Sequence, residues 1–71
     1  MKRYSFTPEI GEEFQNQGGS IYKCVKVNSD GTAVMQNVYS KWTLTAHGLG
    51  MYTDGSIDWD YSTGGYFAQE C

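Results

Sequence analysis

The sequence predicts an all-β domain of five to six short antiparallel strands joined by hairpin turns. Three observations carry that expectation. Turn signals recur at short intervals: Gly18-Gly19, Asn28-Ser29-Asp30-Gly31, Gly48-Leu49-Gly50, Asp54-Gly55 and Gly64-Gly65. The segments between them are rich in Val, Ile, Thr, Tyr and Trp, the residues that suit a pleated, half-buried surface. No window sustains a 3.6-residue apolar period, so helix is expected at most as one turn near Pro8-Glu9.

Length fits one small domain, residues 1–71, with 1–8 as an extended N-terminal segment and 69–71 frayed. A chain this short buries only about 60% of the surface its unfolded form exposes, so large side chains must build the core. Two Trp, six Tyr and three Phe supply them. Packing is therefore the first role to expect of any one ring.

In chain order, Ile21-Tyr22-Lys23-Cys24-Val25-Lys26-Val27 fails to alternate cleanly, which predicts a bulge or sharp bend in that strand. Ser29-Asp30-Gly31-Thr32-Ala33 and Thr53-Asp54-Gly55-Ser56-Ile57 share one pattern, Ser/Thr-Asp-Gly-Thr/Ser-apolar. Asp-Gly at a hairpin tip points to type I′ turns, with positive φ at both central residues. The two hairpins should join about 20–28 to 32–39 and about 50–53 to 56–61. In Trp42-Thr43-Leu44-Thr45-Ala46-His47, Trp42, Leu44 and Ala46 share the buried face, with Thr43, Thr45 and His47 on the wet one. The same period puts Ile57, Trp59 and Tyr61 on one face and Asp58 with Asp60 on the other. Gly64-Gly65 reads as the opening of the last strand.

Pro8-Glu9-Ile10-Gly11-Glu12-Glu13-Phe14, an apolar residue, Gly, an acid and then a large apolar residue leading into a strand, resembles the entry into small SH3-like barrels. The succession of short strands and hairpins is similar to that class in outline. The resemblance implies a closed SH3-like β-barrel. Proline-rich peptide recognition does not carry over, because the aromatic and proline-binding motifs of signalling SH3 domains are absent. The general look also resembles short proteins of bacterial genomes and mobile elements.

Charge is unevenly spread. Residues 1–41 hold all five basic residues against four acidic ones, while 42–71 hold Asp54, Asp58, Asp60 and Glu70 with no Lys or Arg. No basic run exceeds Lys2-Arg3, so direct nucleic-acid binding and attraction to anionic membranes are not expected. No stretch approaches the roughly 20 apolar residues of a membrane span, and the N-terminus carries no apolar leader. A reducing, cytoplasmic setting is the expectation, with Cys24 a small buried hydrophobe and Cys71 at a frayed end. A Cys24–Cys71 bridge is the alternative.

Chemistry-bearing patterns are few. Counting Asp54 as the first position of a calcium loop puts Gly55 second and Gly65 twelfth, which fails the EF-hand pattern. A solvated strand face accounts for Asp58 and Asp60 more simply than a metal does. His47 is the lone histidine, and with two cysteines it falls short of a zinc set with ligand spacing. A Cys24–His47 nucleophile pair has no third residue to orient it. Neither a GxGxxG nor a phosphate-binding P-loop pattern occurs. The expectation is a protein that is not an enzyme and needs no cofactor.

One surface remains as a candidate: Tyr52, Asp58, Asp60, Tyr61 and Tyr66, tyrosines with an acidic rim. Such surfaces suit protein partners, and the acids would favour a basic one. Two alternatives stand beside this protein-interaction reading. One is an acidic decoy that occupies a nucleic-acid-binding site on a host protein. The other is a small-ligand or sugar pocket lined by Trp and Tyr. Exposed strand edges would also allow a homodimer.

Overall fold

A computed structural model describes residues 2–67, with side chains through Gly65. It contains eight antiparallel strands and, among the described residues, no helix. They are β1 (Arg3–Ser5), β2 (Glu13–Gln15), β3 (Ile21–Val27), β4 (Ala33–Asn37), β5 (Trp42–His47), β6 (Gly50–Tyr52), β7 (Ile57–Asp58) and β8 (Tyr61–Phe67). A five-stranded sheet runs β2-β3-β4-β5-β8, and a three-stranded sheet runs β1-β6-β7.

The expected closed barrel does not form. The chain changes sheets at three corners, between β1 and β2, between β5 and β6 and between β7 and β8. The sheets meet through an isolated parallel bridge, Asn16 with Ile57, and through backbone bonds at the corners such as Asp60 N–H to His47 O at 2.7 Å. That seam is too sparse to be a ladder, so two sheets pack where one rolled sheet was expected. The higher strand count comes largely from the first fifteen residues, which contribute β1 and β2. The Pro8-Glu9 region forms a turn rather than a helical one, with Glu12 N–H donating to Glu9 O at 3.1 Å.

The core sits between the sheets. Cys24, Ala33, Met35, Leu44, Ala46, Leu49 and Ile57 are buried together, with Phe6, Phe14, Tyr22, Val27, Met51 and Trp59 packed around them. Two edge-to-face ring pairs extend it, Phe6 on Phe14 at 5.3 Å and Tyr22 on Trp59 at 5.1 Å. Rings so arranged contribute about 0.5–1.5 kcal/mol beyond their buried area. β4 is the central strand, and Ala33, Val34 and Met35 are all buried.

The irregular pattern of β3 is a bulge. Its pairing with β4 slips between Cys24 and Lys26, which leaves Val25 as the extra residue. β5 departs from its expected facing. Leu44 and Ala46 are buried as expected, but Thr43, assigned to the wet face, is only 1% exposed. β5 lies between β4 and β8, and its register against β8 slips between Thr43 and Thr45, so simple alternation of faces does not hold at this end of the strand. Trp42 sits at the rim, with its indole against Gly65: a β-carbon there would come within 2.5 Å of the ring. Gly64-Gly65 does not open β8 but falls within it, where the register against β5 slips between Thr43 and Thr45.

The two Asp-Gly hairpins form where expected but with another turn. Asp30 and Asp54 keep negative φ, and only Gly31 (φ 91°) and Gly55 (φ 89°) enter the left-handed region. Each is a three-residue loop. Asn28 N–H donates to Thr32 O and Gly31 N–H to Asn28 O, matched by Tyr52 to Ser56 and Gly55 to Tyr52. The reason lies in the aspartates. Asp30 Oδ1 accepts from both the N–H and the hydroxyl of Thr32, at 3.0 and 2.6 Å, and Asp54 does the same for Ser56. These bonds fix the carboxylate locally and favour the longer loop over the two-residue I′ turn. The β2–β3 connection repeats the backbone pattern, with Asn16 Oδ1 as the side-chain acceptor.

Candidate functional site

Among the described residues, β1 brings the cation that pairs with the acidic half of the chain, Arg3. Arg3 and Ser5 share the outer face of the three-stranded sheet with Gly50, Tyr52 and Asp58. From there the Arg3 guanidinium lies across Gly50. Its Nε donates to Asp58 Oδ1 at 2.6 Å and its Nη2 to the Gly48 carbonyl at 2.6 Å. Asp60 Oδ1 stands 3.5 Å from Nη2. Tyr52 completes the cluster by donating its hydroxyl to Asp58 Oδ2 at 2.7 Å.

Two glycines make room for it. A β-carbon at Gly50 would collide with the guanidinium, and one at Gly48 would collide with the Asp60 carboxylate. Gly50 is buried under Arg3 for the same reason.

The electrostatics follow from these contacts. Desolvation pushes the Asp58 carboxyl up, but the Tyr52 hydroxyl and Arg3 outweigh it and hold the group below the ordinary aspartate range. The hydrogen bond to Asp58 pushes Tyr52 and Arg3 up, so both stay protonated through the physiological range. Burial raises the Cys24 thiol, which keeps it neutral in the core.

The two candidate aspartates therefore differ. Asp58 has both oxygens occupied and its side chain is 33% exposed, whereas the Asp60 side chain is 68% exposed. The tyrosines differ too. Tyr52 is half-buried and bonded, while Tyr61 is 60% exposed and lies flat on His47, with centroids 4.3 Å apart and planes 8° apart. His47 is held in turn by Thr63 Oγ1 at 2.9 Å. Tyr66 stands opposite Thr43 in the β5–β8 register, and its side chain lies outside the described residues, as does all of Cys71.

Of the five sequence candidates, Tyr52 and Asp58 are brought together directly, and Asp60 joins them through Arg3. Tyr61 follows Asp60 at the corner into β8. Ile57 is fully buried, and Trp59 is half-buried on the core's edge. Sequence reasoning missed Arg3, Gly48 and Gly50. The available signal was the charge asymmetry itself: an acidic half without a cation draws one from the other half, here across 55 residues.

Among the described residues, no three of His, Cys, Asp and Glu cluster to hold a metal ion, and no helix is long and apolar enough to cross a membrane. In comparisons with known proteins, no family model, curated protein or solved structure matches the chain.

Proposed function

We propose that the protein is a non-enzymatic interaction module that binds a protein partner through the corner at Asp60 and Tyr61. The observation that carries this reading is the pairing of an exposed, pre-ordered ring with an accessible carboxylate. Tyr61 is held flat by His47, so docking against it costs little side-chain entropy. Asp60 adjoins it and, with Asp54 and Asp58, biases the surface toward a basic partner.

The acidic decoy fits less well, because Arg3 stands among the carboxylates and offsets part of their charge. A cytoplasmic setting accords with the buried free thiol of Cys24. The 8–14 entry segment and the run of hairpins support a distant kinship with SH3-like barrels.

The test is affinity capture from the native host's lysate with wild type and with Asp60→Lys/Tyr61→Ala. Neither side chain is in the core, so the variant should fold with an unchanged melting temperature within about 3 °C. The expected outcome is a specific partner lost by at least about tenfold in the variant. Equal capture by both proteins refutes the reading. Asp58 is unsuited to this experiment, since its loss would release Arg3 and disturb β1.

A further inference from the structure

The four strands that end the two sheets are not alike. β7 is two residues long and meets Asn16 through Ile57. β1 and β2 are three residues each and carry a charge, Arg3 and Glu13. Short, charged strands are how sheets keep their edges from pairing with another chain. β8 has neither guard: it runs seven residues, Tyr61–Phe67, without a Lys, Arg, Asp, Glu or Pro. It pairs with β5 on one side, and among the described residues no strand lies on the other. Tyr61, Ser62, Thr63, Gly64 and Gly65 are all exposed, so neither face of the sheet is covered at this edge.

We infer that β8 pairs antiparallel with β8 of a second copy of this chain, across a two-fold axis at Ser62, so that the two five-stranded sheets become continuous. The outward N–H and C=O groups of an edge strand are met by another extended strand, which sets the kind of occupant. The neutrality of β8 favours a like strand. A chain of net charge −3 repels its copies wherever acids face one another, and along β8 none do.

The register follows from the bulge. The extra residue at Gly64-Gly65, with Gly64 at φ 80°, bends β8 after Thr63 and leaves Tyr61–Thr63 as its regular run. A two-fold at the centre of that run sets Ser62 opposite Ser62 and, twice over, Tyr61 opposite Thr63. An aromatic ring opposite a β-branched residue is a favourable cross-strand pair. Tyr61 lies flat on His47 and Thr63 is bonded to it, so both side chains are ordered before the copies meet. Asp60 falls opposite Gly64 in this register, not opposite its own equivalent. Such a contact belongs to the weak class below about 1,200 Å², so the dimer forms at high concentration. It is independent of the protein partner proposed above, although both use Tyr61.

The experiment is sedimentation equilibrium with parallel amide NMR spectra of the full chain, from about 20 µM to about 1 mM in reducing buffer. The expected result is a mass rising toward that of the dimer, with concentration-dependent shifts centred on the amides of 61–63. Ser62→Lys and Ser62→Glu, at an exposed position, should each stay folded and weaken association at least tenfold, because like charges then meet at the axis. An equimolar mixture of the two should recover what each has lost. A monomer at about 1 mM with unmoved 61–63 amides overturns the inference. So does association that Ser62→Lys leaves intact, a mixture that recovers nothing, or a mass that climbs past the dimer. If capture depends on Asp60 and Tyr61 while the chain stays monomeric, the partner surface stands and the dimer falls. A dimer with capture unaffected by Asp60→Lys/Tyr61→Ala leaves the dimer standing without that surface.

Discussion

The two sheets are held by different forces. The five-stranded sheet is fastened by burial: β4 alone contributes three buried residues, and Cys24, Leu44 and Ala46 join it from the neighbouring strands. The three-stranded sheet buries Ile57 but has little else of that kind at its outer edge. All three residues of β1 are exposed. What ties β1 down is a three-residue ladder, a long Phe6 N–H to Leu49 O bond of 3.4 Å, the packing of Phe6, and the Arg3 network. The difference teaches where this small protein can open. Apolar burial has no proton to titrate and no Coulomb attraction for dilute salt to screen, while a charge network at the surface responds to both.

Breaking the buried side should cost most. Met35→Ala, at a fully buried position of the central strand, should destabilise the whole domain by about 2–5 kcal/mol, read by urea denaturation. Ile57→Ala should behave alike, because Ile57 belongs to the same core despite lying in the smaller sheet.

Breaking the polar side should be local. Gly50→Ala has no backbone strain to confuse the result, since Gly50 is not in the left-handed region, yet its methyl group would push Arg3 off Asp58. Amide exchange along β1 and β6 should quicken, with β3, β4 and β5 unchanged.

Acid should act on the same joint. Asp58 has a native pKa below its ordinary value of 3.8. Its contribution is therefore complete above that value and fades as pH falls through the lower native one. Asp30 and Asp54, lowered chiefly by the Thr32 and Ser56 hydroxyls, have the same sign in their hairpin loops. Protection of the amides in β1 and in both loops, taken relative to the intrinsic exchange rate at each pH, should fall as the pH drops below about 4 and stay constant between about 5 and 7. A loss of protection at neutral pH would contradict this origin.

The smallest effect sharpens the comparison at the other end of the five-stranded sheet. Lys41 has φ of 68°, the only described non-glycine residue with positive φ. Lys41→Gly should raise stability by about 0.5–1 kcal/mol, visible as a small rise in melting temperature.

Much of the fold was legible in the residues. β-branched and aromatic runs between Gly and Asp-Gly signals located both Asp-Gly hairpins, and broken alternation located the Val25 bulge. These are local signals. The I′ turn was wrong because a carboxylate's bond to the hydroxyl two residues on competes with the tip geometry that Asp-Gly alone suggests. Barrel closure was wrong because closure is a property of the seam, and residues such as Asn16 and Ile57 carry no mark of meeting only once. The site was half legible. Alternation placed Asp58 on the face opposite Ile57, but that Arg3 would occupy it depends on a pairing 55 residues long. Periodicity also gave Asp58 and Asp60 one role, and the corner between β7 and β8 gives them two.

Amide hydrogen exchange on wild type and Arg3→Ala at pH 6.5 measures the central contrast between the sheets most directly. The account predicts at least fivefold faster exchange for the amides of 3–5 and 50–52, with protection in β3, β4 and β5 unchanged. Uniformly faster exchange across both sheets would contradict it, as would no change in β1.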